Sequence, residues 1–102
     1  MNVNFYRFTN TLNLRKDDLK IAIIGKVEEI GENYFILKDE FGKIKINFTI
    51  FDENIKNLKE GSIIRVFCTK IDNEIYCDFF QNLEGLDLNL YKKIENLYFN
   101  LL

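Results

Sequence analysis

The chain has 102 residues, 47% of them hydrophobic, and its 14 basic and 16 acidic side chains give a formal net charge of −2. This length and apolar content fit one compact domain, and the charge excludes a surface that attracts phosphate everywhere, so a nucleic-acid site would be a local patch. The absence of histidine excludes imidazole base catalysis and histidine-containing metal sites. No signal peptide or membrane-spanning apolar run is visible, so we expect an intracellular protein, cytoplasmic in an archaeon or nuclear in a eukaryote.

The first part of the chain mixes aromatic side chains with Asn and Thr and shows no sustained hydrophobic period. We predict an N-terminal arm or a short edge strand over residues 1–18. The remaining sequence divides into a strand-rich part, 19–83, and an apolar last stretch, 86–102. We predict a barrel for the first of these and a helix for the second.

Five β-strands are predicted in the strand-rich part. The first, over 19–30, is rich in β-branched residues and contains Gly25, where a missing side chain would let a long strand bend or bulge. A polar segment over 52–59 predicts a helical turn that connects the third strand to the final hairpin. The other four strands are predicted over 34–38, 43–48, 62–71 and 74–81.

The second and third predicted strands alternate cleanly between two kinds of side chain. Successive residues of a strand point to opposite faces of a sheet, so one set is expected to form the core and the other a solvated surface. The expected core residues are Phe35, Leu37, Ile44, Ile46 and Phe48. The expected surface residues are Tyr34, Ile36, Lys38, Lys43, Lys45 and Asn47.

The final hairpin contains both cysteines of the chain, Cys68 and Cys77. A two-residue turn at 72–73 would place them directly opposite each other. They could then oxidise, but they share their alternation with apolar core positions, which favours two small reduced core residues. The outward positions of this hairpin are predicted to be Arg65, Phe67, Thr69, Tyr76 and Phe80, and the inward ones Ile64, Val66, Ile75 and Phe79.

The last stretch, 86–102, has more apolar surface than one small domain can bury. On a helix its apolar positions form one broad stripe, which favours packing against helices of other chains. The alternative is that this helix packs back onto its own barrel. We expect Leu97→Asp to dissociate any complex and leave the barrel folded. The predicted oligomer interface consists of Leu90, Tyr91, Ile94, Leu97, Tyr98, Leu101 and Leu102.

The order of these elements predicts the fold class. A long, kinked first strand, a connector after the third strand and a final hairpin match an all-β domain, namely a five-stranded Greek-key barrel, followed here by one C-terminal helix. A small open sandwich with similar strand content is the alternative.

Three short motifs follow one another in this framework: G-x-V at 25–27, D-x-x-G at 39–42 and G-x-x-I-R-V at 61–66. Together with the last stretch they resemble the OB-fold small and middle subunits of replication protein A, particularly the archaeal ones, over residues 17–102. That family usually has Val where this chain has Ile64. The resemblance implies an OB-fold barrel, three subunits joined by a bundle of C-terminal helices, and an assembly that holds single-stranded DNA. Telomere-capping relatives share this layout.

The resemblance also implies where a nucleic acid would lie. In OB-folds a single strand crosses the second and third strands, with its bases stacked on aromatic rings and its phosphates contacted by basic residues. The alternatives are that the lysines are ordinary solvated side chains, and that the outward aromatic residues are covered by the N-terminal arm or the final helix. The candidate nucleic-acid-binding residues are Lys26, Tyr34, Lys38, Lys43, Lys45, Asn47, Arg65, Phe67 and Tyr76.

The sequence shows no nucleophile–base pair, no phosphate-binding glycine loop and no Cys/His cluster, and its paired acids fall at predicted strand ends or in loops. We therefore predict a protein that is not an enzyme and has no cofactor or metal. The expected function is that of a non-catalytic subunit of a replication-protein-A-like complex that binds single-stranded DNA, in replication, repair or end protection. The alternatives are a structural adaptor without nucleic-acid contact, which the acidic balance favours, and a stand-alone RNA-binding module.

Overall fold

The computed structural model of the chain describes residues 5–49 and 53–83. Within these ranges the chain forms six β-strands and one short 3₁₀ helix, Glu53–Asn57, and it contains no helix long and apolar enough to cross a membrane. The predicted strands correspond to β2–β6 of the structure, with bounds that differ by one residue at most. The strands are β1 Arg7–Thr9, β2 Lys20–Ile30, β3 Tyr34–Lys38, β4 Lys43–Asn47, β5 Ile63–Ile71 and β6 Glu74–Asn82.

All six described strands belong to one mixed sheet with the order β1-β2-β3-β4-β6-β5, and β2 also pairs with β5. The long β2 pairs with two strands. Its residues up to Lys26 pair with β5, and those from Lys26 onward pair with β3. The β1–β2 and β4–β6 pairs are parallel. The second of these consists of the single pair Asn47 and Tyr76.

The structure corrects the predicted fold class. Residues 5–49 and 53–83 form a six-stranded mixed sheet without an α-helix, in place of a five-stranded Greek-key barrel, and the one-pair contact between β4 and β6 does not make a clear barrel. The additional strand, β1, lies within the segment for which the sequence predicts an arm or a short edge strand, and it forms because β2 offers it backbone partners. The predicted helix over 86–102 lies outside the described residues.

Side-chain contacts hold β1 and the loop after it on the sheet. The Arg7 guanidinium donates to the Asp18 carboxylate from Nε at 2.8 Å and from Nη2 at 2.6 Å. Thr11 donates to the Asp39 carboxylate from its backbone N–H at 2.7 Å and from Oγ1 at 2.6 Å. Asp39 also accepts hydrogen bonds from two backbone N–H groups of the β3–β4 turn, so one carboxylate shapes this turn and binds the N-terminal segment to it.

Two apolar clusters form the interior. The main cluster contains the predicted core face of β3 and β4, in which only Ile44 is partly exposed. The second cluster lies on the opposite side of β2 and β5, because its residues alternate along these strands with residues of the main core. The second cluster consists of Tyr6, Ala22 and Phe67, with Phe8 and Phe79 packed against it.

A bulge in β6 reverses part of the predicted alternation. The two cysteines face each other, as predicted, but Phe67 faces Phe79, so Asp78 is the extra residue of β6. Beyond the bulge, Phe79 packs in the second cluster and Phe80 against the main core, so the predicted sides of these two residues are wrong. The two cysteines are not joined in a disulfide, and burial raises the pKa of Cys68 well above its ordinary value.

A second bulge lies in β2, but not at the glycine where the sequence predicts a bend or bulge. The pairing between β2 and β3 shifts between Val27 and Glu29, so the bulged residue is Glu28. Gly25 is required for a different reason, since a Cβ at this position would lie 2.6 Å from the backbone oxygen of Lys38. The glycine thus allows β3 to approach β2 closely. The bulge at Glu28 changes which side chains of β2 face outward.

Candidate nucleic-acid interface

Four lysines cross the outward side of β2, β3 and β4, and we call them the lysine row. Lys26 on β2 pairs with Lys38 on β3, which pairs in turn with Lys43 on β4, and Lys45 follows on the same side of β4. All four side chains are exposed. Like charges directly opposite each other destabilise a sheet, so this arrangement favours the presence of anions nearby.

Two carboxylates lie beside the lysine row because of the bulge in β2. Neighbouring residues of a regular strand point to opposite faces, but Glu28 and Glu29 line one shallow outward groove together with Lys43 and Lys45. The Glu28 carboxylate lies 3.4 Å from Nζ of Lys43 and 3.9 Å from Nζ of Lys38. Among these six side chains the four ammonium groups outnumber the two carboxylates.

The sequence-based prediction missed Glu28 and Glu29 as part of this surface, because it treats them as solvated acids at a strand end. One signal could have identified them: the alternation of β2 is interrupted by two successive charged residues. A bulge accommodates such a pair, since the extra residue lets both side chains face outward and reverses the alternation after them.

Tyr34 provides a half-buried ring at the start of β3. Nζ of Lys45 lies 5.0 Å from the centroid of this ring, within the range of a cation–π contact, and the phenol donates to Oε1 of Glu29 at 3.4 Å. The ring also packs so closely on the turn that a Cβ at Gly31 would collide with it. A cation, a carboxylate and the backbone of the turn therefore hold the ring in position.

Asn47 and Tyr76 lie where β4 meets β6, and Asn47 also pairs with Tyr34. The Asn47 amide donates to Oε2 of Glu74 at 2.8 Å and to the carbonyl oxygen of Ile75 at 3.0 Å. These two bonds use both amide hydrogens to join the strands, so Asn47 has a structural role here. Tyr76 is 40% exposed and offers a second ring, separated from Tyr34 by Asn47 on the strand between them.

Arg65 and Phe67 on β5 contact rings of the N-terminal segment. Phe67 is 1% exposed, and its ring stacks on Phe79 at a centroid distance of 4.3 Å and meets the Tyr6 ring edge-on at 5.1 Å. The Arg65 guanidinium lies 5.1 Å from the centroid of the Phe8 ring. The alternative in which the N-terminal arm covers outward aromatic residues thus holds at Phe67, whose ring has no open face for stacking.

A hydrogen-bond network holds the N-terminal segment against β5 and β6. The Tyr6 phenol donates to Oδ2 of Asp78 at 2.8 Å, and Oγ1 of Thr69 donates to the same oxygen at 2.6 Å. Lys20 donates from Nζ to Oγ1 of Thr69 at 2.7 Å. Burial and the hydrogen bond to the Asp78 carboxylate raise the pKa of Tyr6, so the phenol remains a donor at neutral pH.

The predicted oligomer interface over 86–102 lies outside the described residues and stays a prediction. In the part of the chain that the structure describes, no group of three or more His, Cys, Asp or Glu side chains could hold a metal ion.

The sequence matches no family model and no curated protein sequence. Its structure, however, is similar to solved structures. A crystal structure of telomere capping protein Ten1 from Saccharomyces pombe matches with a TM-score of 0.79 at 14% identity, over 93% of this chain and 98% of that chain. A crystal structure of the S. pombe Stn1-Ten1 complex matches with a TM-score of 0.77 at 14% identity, over 93% of this chain and 92% of that chain. Replication protein A from U. maydis, bound to single-stranded DNA, gives 0.67 at 15% identity, over 90% and 87%.

These likenesses show that the chain shares the OB-like fold of these proteins. They confirm the resemblance to replication protein A subunits and their telomere-capping relatives that the sequence motifs indicate. At identities of 14–15% the likeness concerns the fold alone.

Proposed function

We propose that this chain is a non-catalytic subunit of a replication-protein-A-like complex that binds single-stranded DNA. The observation that supports this most strongly is the lysine row, in which four exposed ammonium groups from three adjacent strands lie on one side of the sheet. Such a row matches the repeated phosphates of a single strand, and OB-folds bind single strands on this part of the sheet. The likeness to a replication protein A that is bound to single-stranded DNA adds support.

In this proposal the lysine row contacts phosphates, and Tyr34 and Tyr76 stack on bases. A base that stacks on the Tyr34 ring in place of the Lys45 ammonium would leave that ammonium for a neighbouring phosphate. Each stacked base contributes roughly 1–3 kcal/mol, and phosphate contacts weaken with salt, so the isolated chain should bind weakly and in a salt-sensitive way. Weak binding suits one subunit of an assembly whose other subunits hold the same strand.

The test is a titration of a fluorescein-labelled oligo-dT probe with the full chain, measured by fluorescence anisotropy at low salt. Lys43→Glu combined with Lys45→Glu should weaken binding by about tenfold or more and reduce the slope of log affinity against log salt by about 1.4, because each single-strand phosphate contact contributes roughly 0.7. The control, Lys56→Glu combined with Lys59→Glu, makes the same charge change at exposed positions outside the strands. Equal effects of the two double variants would contradict the proposed site.

A second candidate is a structural adaptor that joins other subunits without touching nucleic acid. The observation in its favour is that Glu28 and Glu29 lie beside the lysine row and reduce its attraction for phosphate. Purification of the native complex distinguishes the two functions. If the recovered complex binds oligo-dT equally well with wild-type chain and with the Lys43 and Lys45 double variant, the adaptor is correct. A parallel titration with oligo-U tests the RNA-binding alternative.

A further inference from the structure

We propose that Glu28 is an intramolecular competitor for the strand, whose carboxylate occupies Lys38 and Lys43 in the free protein and must be displaced by phosphate. This inference rests on the proposed function, because it concerns how the affinity of the same surface is regulated.

The bulge in β2 makes this competition possible. The β2–β3 pairing passes from Val27 directly to Glu29, so Glu28 is the residue without a partner on β3. It therefore lies on the outward side beside Glu29, and its two oxygens reach different ammonium groups. Oε2 lies 3.4 Å from Nζ of Lys43, and Oε1 lies 3.9 Å from Nζ of Lys38.

A carboxylate in this position can make the same contacts with the lysines as a phosphate group. Both groups are anionic and both present oxygen acceptors to Nζ, so a carboxylate that bridges two lysines occupies a phosphate position. The side chains are partly open to solvent, with exposed fractions of 30% for Glu28, 53% for Lys38 and 57% for Lys43. Exposed ion pairs are weak and salt-sensitive, so a strand can displace this carboxylate, at some loss of affinity.

The same carboxylate explains how the free protein tolerates its lysine row. Lys38 and Lys43 are directly opposite each other on β3 and β4, an arrangement of like charges that destabilises a sheet unless an anion lies between them. Glu28 provides this anion when no strand is bound. The positive charge of the surface is therefore partly neutralised from within, and its affinity for nucleic acid is lower than the lysines alone would give.

Glu28→Gln tests the inference because it keeps the shape of the side chain and removes its charge. In the full chain it should tighten binding to fluorescein-labelled oligo-dT at low salt by roughly two- to fivefold, the range expected for release of an exposed ion pair. Glu32→Gln is the matched control, since it changes the net charge equally at an exposed position in the β2–β3 turn. It should leave the affinity nearly unchanged.

A double-mutant cycle identifies the lysines through which Glu28 acts. In a chain that carries Lys38→Gln and Lys43→Gln, Glu28→Gln should no longer tighten binding, because the carboxylate then has no ammonium groups to occupy. Equal gains from Glu28→Gln and Glu32→Gln, or a gain that persists without the two lysines, would overturn the inference.

The same titrations separate this inference from the proposed function. If the charge reversal at Lys43 and Lys45 weakens binding while Glu28→Gln has no effect, the inference fails and the proposed function stands. If neither the wild-type chain nor any variant binds the probe, both fail. Thermal melts followed by circular dichroism establish that each variant is folded.

Discussion

The outward side of β2–β4 and the outward side of β5–β6 are built from similar alternating strands but differ in what reaches solvent. On β2–β4 the alternate positions stay exposed and form the lysine row. On β5–β6 the outward rings of Phe67 and Phe79 pack under Tyr6 and form a second cluster. The cause lies outside these strands, because the N-terminal segment covers one side and leaves the other open. Alternation therefore shows which residues share a side, and the rest of the chain decides whether that side is accessible.

The two outward surfaces should differ most in how much an aromatic side chain contributes to the free energy of unfolding. Phe67→Ala removes a ring that is 1% exposed and stacked at 4.3 Å on Phe79, so it should lower the free energy of unfolding by about 3–5 kcal/mol. Tyr34→Ala removes a half-buried ring whose cation–π contact with Lys45 contributes about 0.5–1 kcal/mol, so it should cost much less. Urea unfolding measures both. Equal losses would mean that the two sides are covered to the same extent.

A smaller loss of stability is expected when the ion pair between Arg7 and Asp18, which holds the N-terminal segment in place, is removed. Hydrogen bonds from Arg7 lower the pKa of Asp18 below its ordinary value of 3.8, so the folded state stabilises the ionised carboxylate. This contribution is complete above the unfolded pKa and is lost as the pH falls through the folded pKa. Asp18→Asn should therefore lower the free energy of unfolding at neutral pH by about 1–2 kcal/mol.

The pH dependence distinguishes this ion pair from a general packing effect. The difference between wild type and Asp18→Asn should shrink as urea unfolding is repeated at increasingly acid pH, because the wild-type carboxylate then becomes protonated. Asp17→Asn is the control, an exposed neighbour with the same change of charge. A difference for Asp18→Asn that stays constant into the acid range would show that the charge of Asp18 does not hold the N-terminal segment.

The strands with regular alternation could be predicted from the sequence. The bounds of β3 agree with the prediction, and the register that places Cys68 opposite Cys77 follows from a two-residue turn. Most of the lysine row could also be predicted, because Lys38, Lys43 and Lys45 alternate regularly on β3 and β4, which pair without interruption. The alternation of side chains along the sequence is sufficient to predict strands and exposed residues where strand pairing is regular and no other segment covers the surface.

The remaining features depend on partners that are distant in sequence. The strand β1 is three residues long and depends on β2 for its backbone partners. The bulges at Glu28 and Asp78 each add one residue to a strand, and each reverses the alternation that follows it. For this reason Phe79 and Phe80 exchange sides relative to the prediction, and Glu28 joins the candidate site. Asn47 has the chemistry of a nucleic-acid contact, but its amide is used to join β4 to β6.

We predict that a single strand contacts the open outward surface of β2–β4 and not the covered outward surface of β5–β6. The most direct measurement is a titration of the isotope-labelled full chain with oligo-dT at low salt, followed by backbone amide NMR shifts. We predict that the amides of Tyr34, Lys43 and Lys45 shift progressively, while those of Phe67 and Phe79 do not. Shifts centred on Phe67 and Phe79, or none at any oligo-dT concentration, would contradict it.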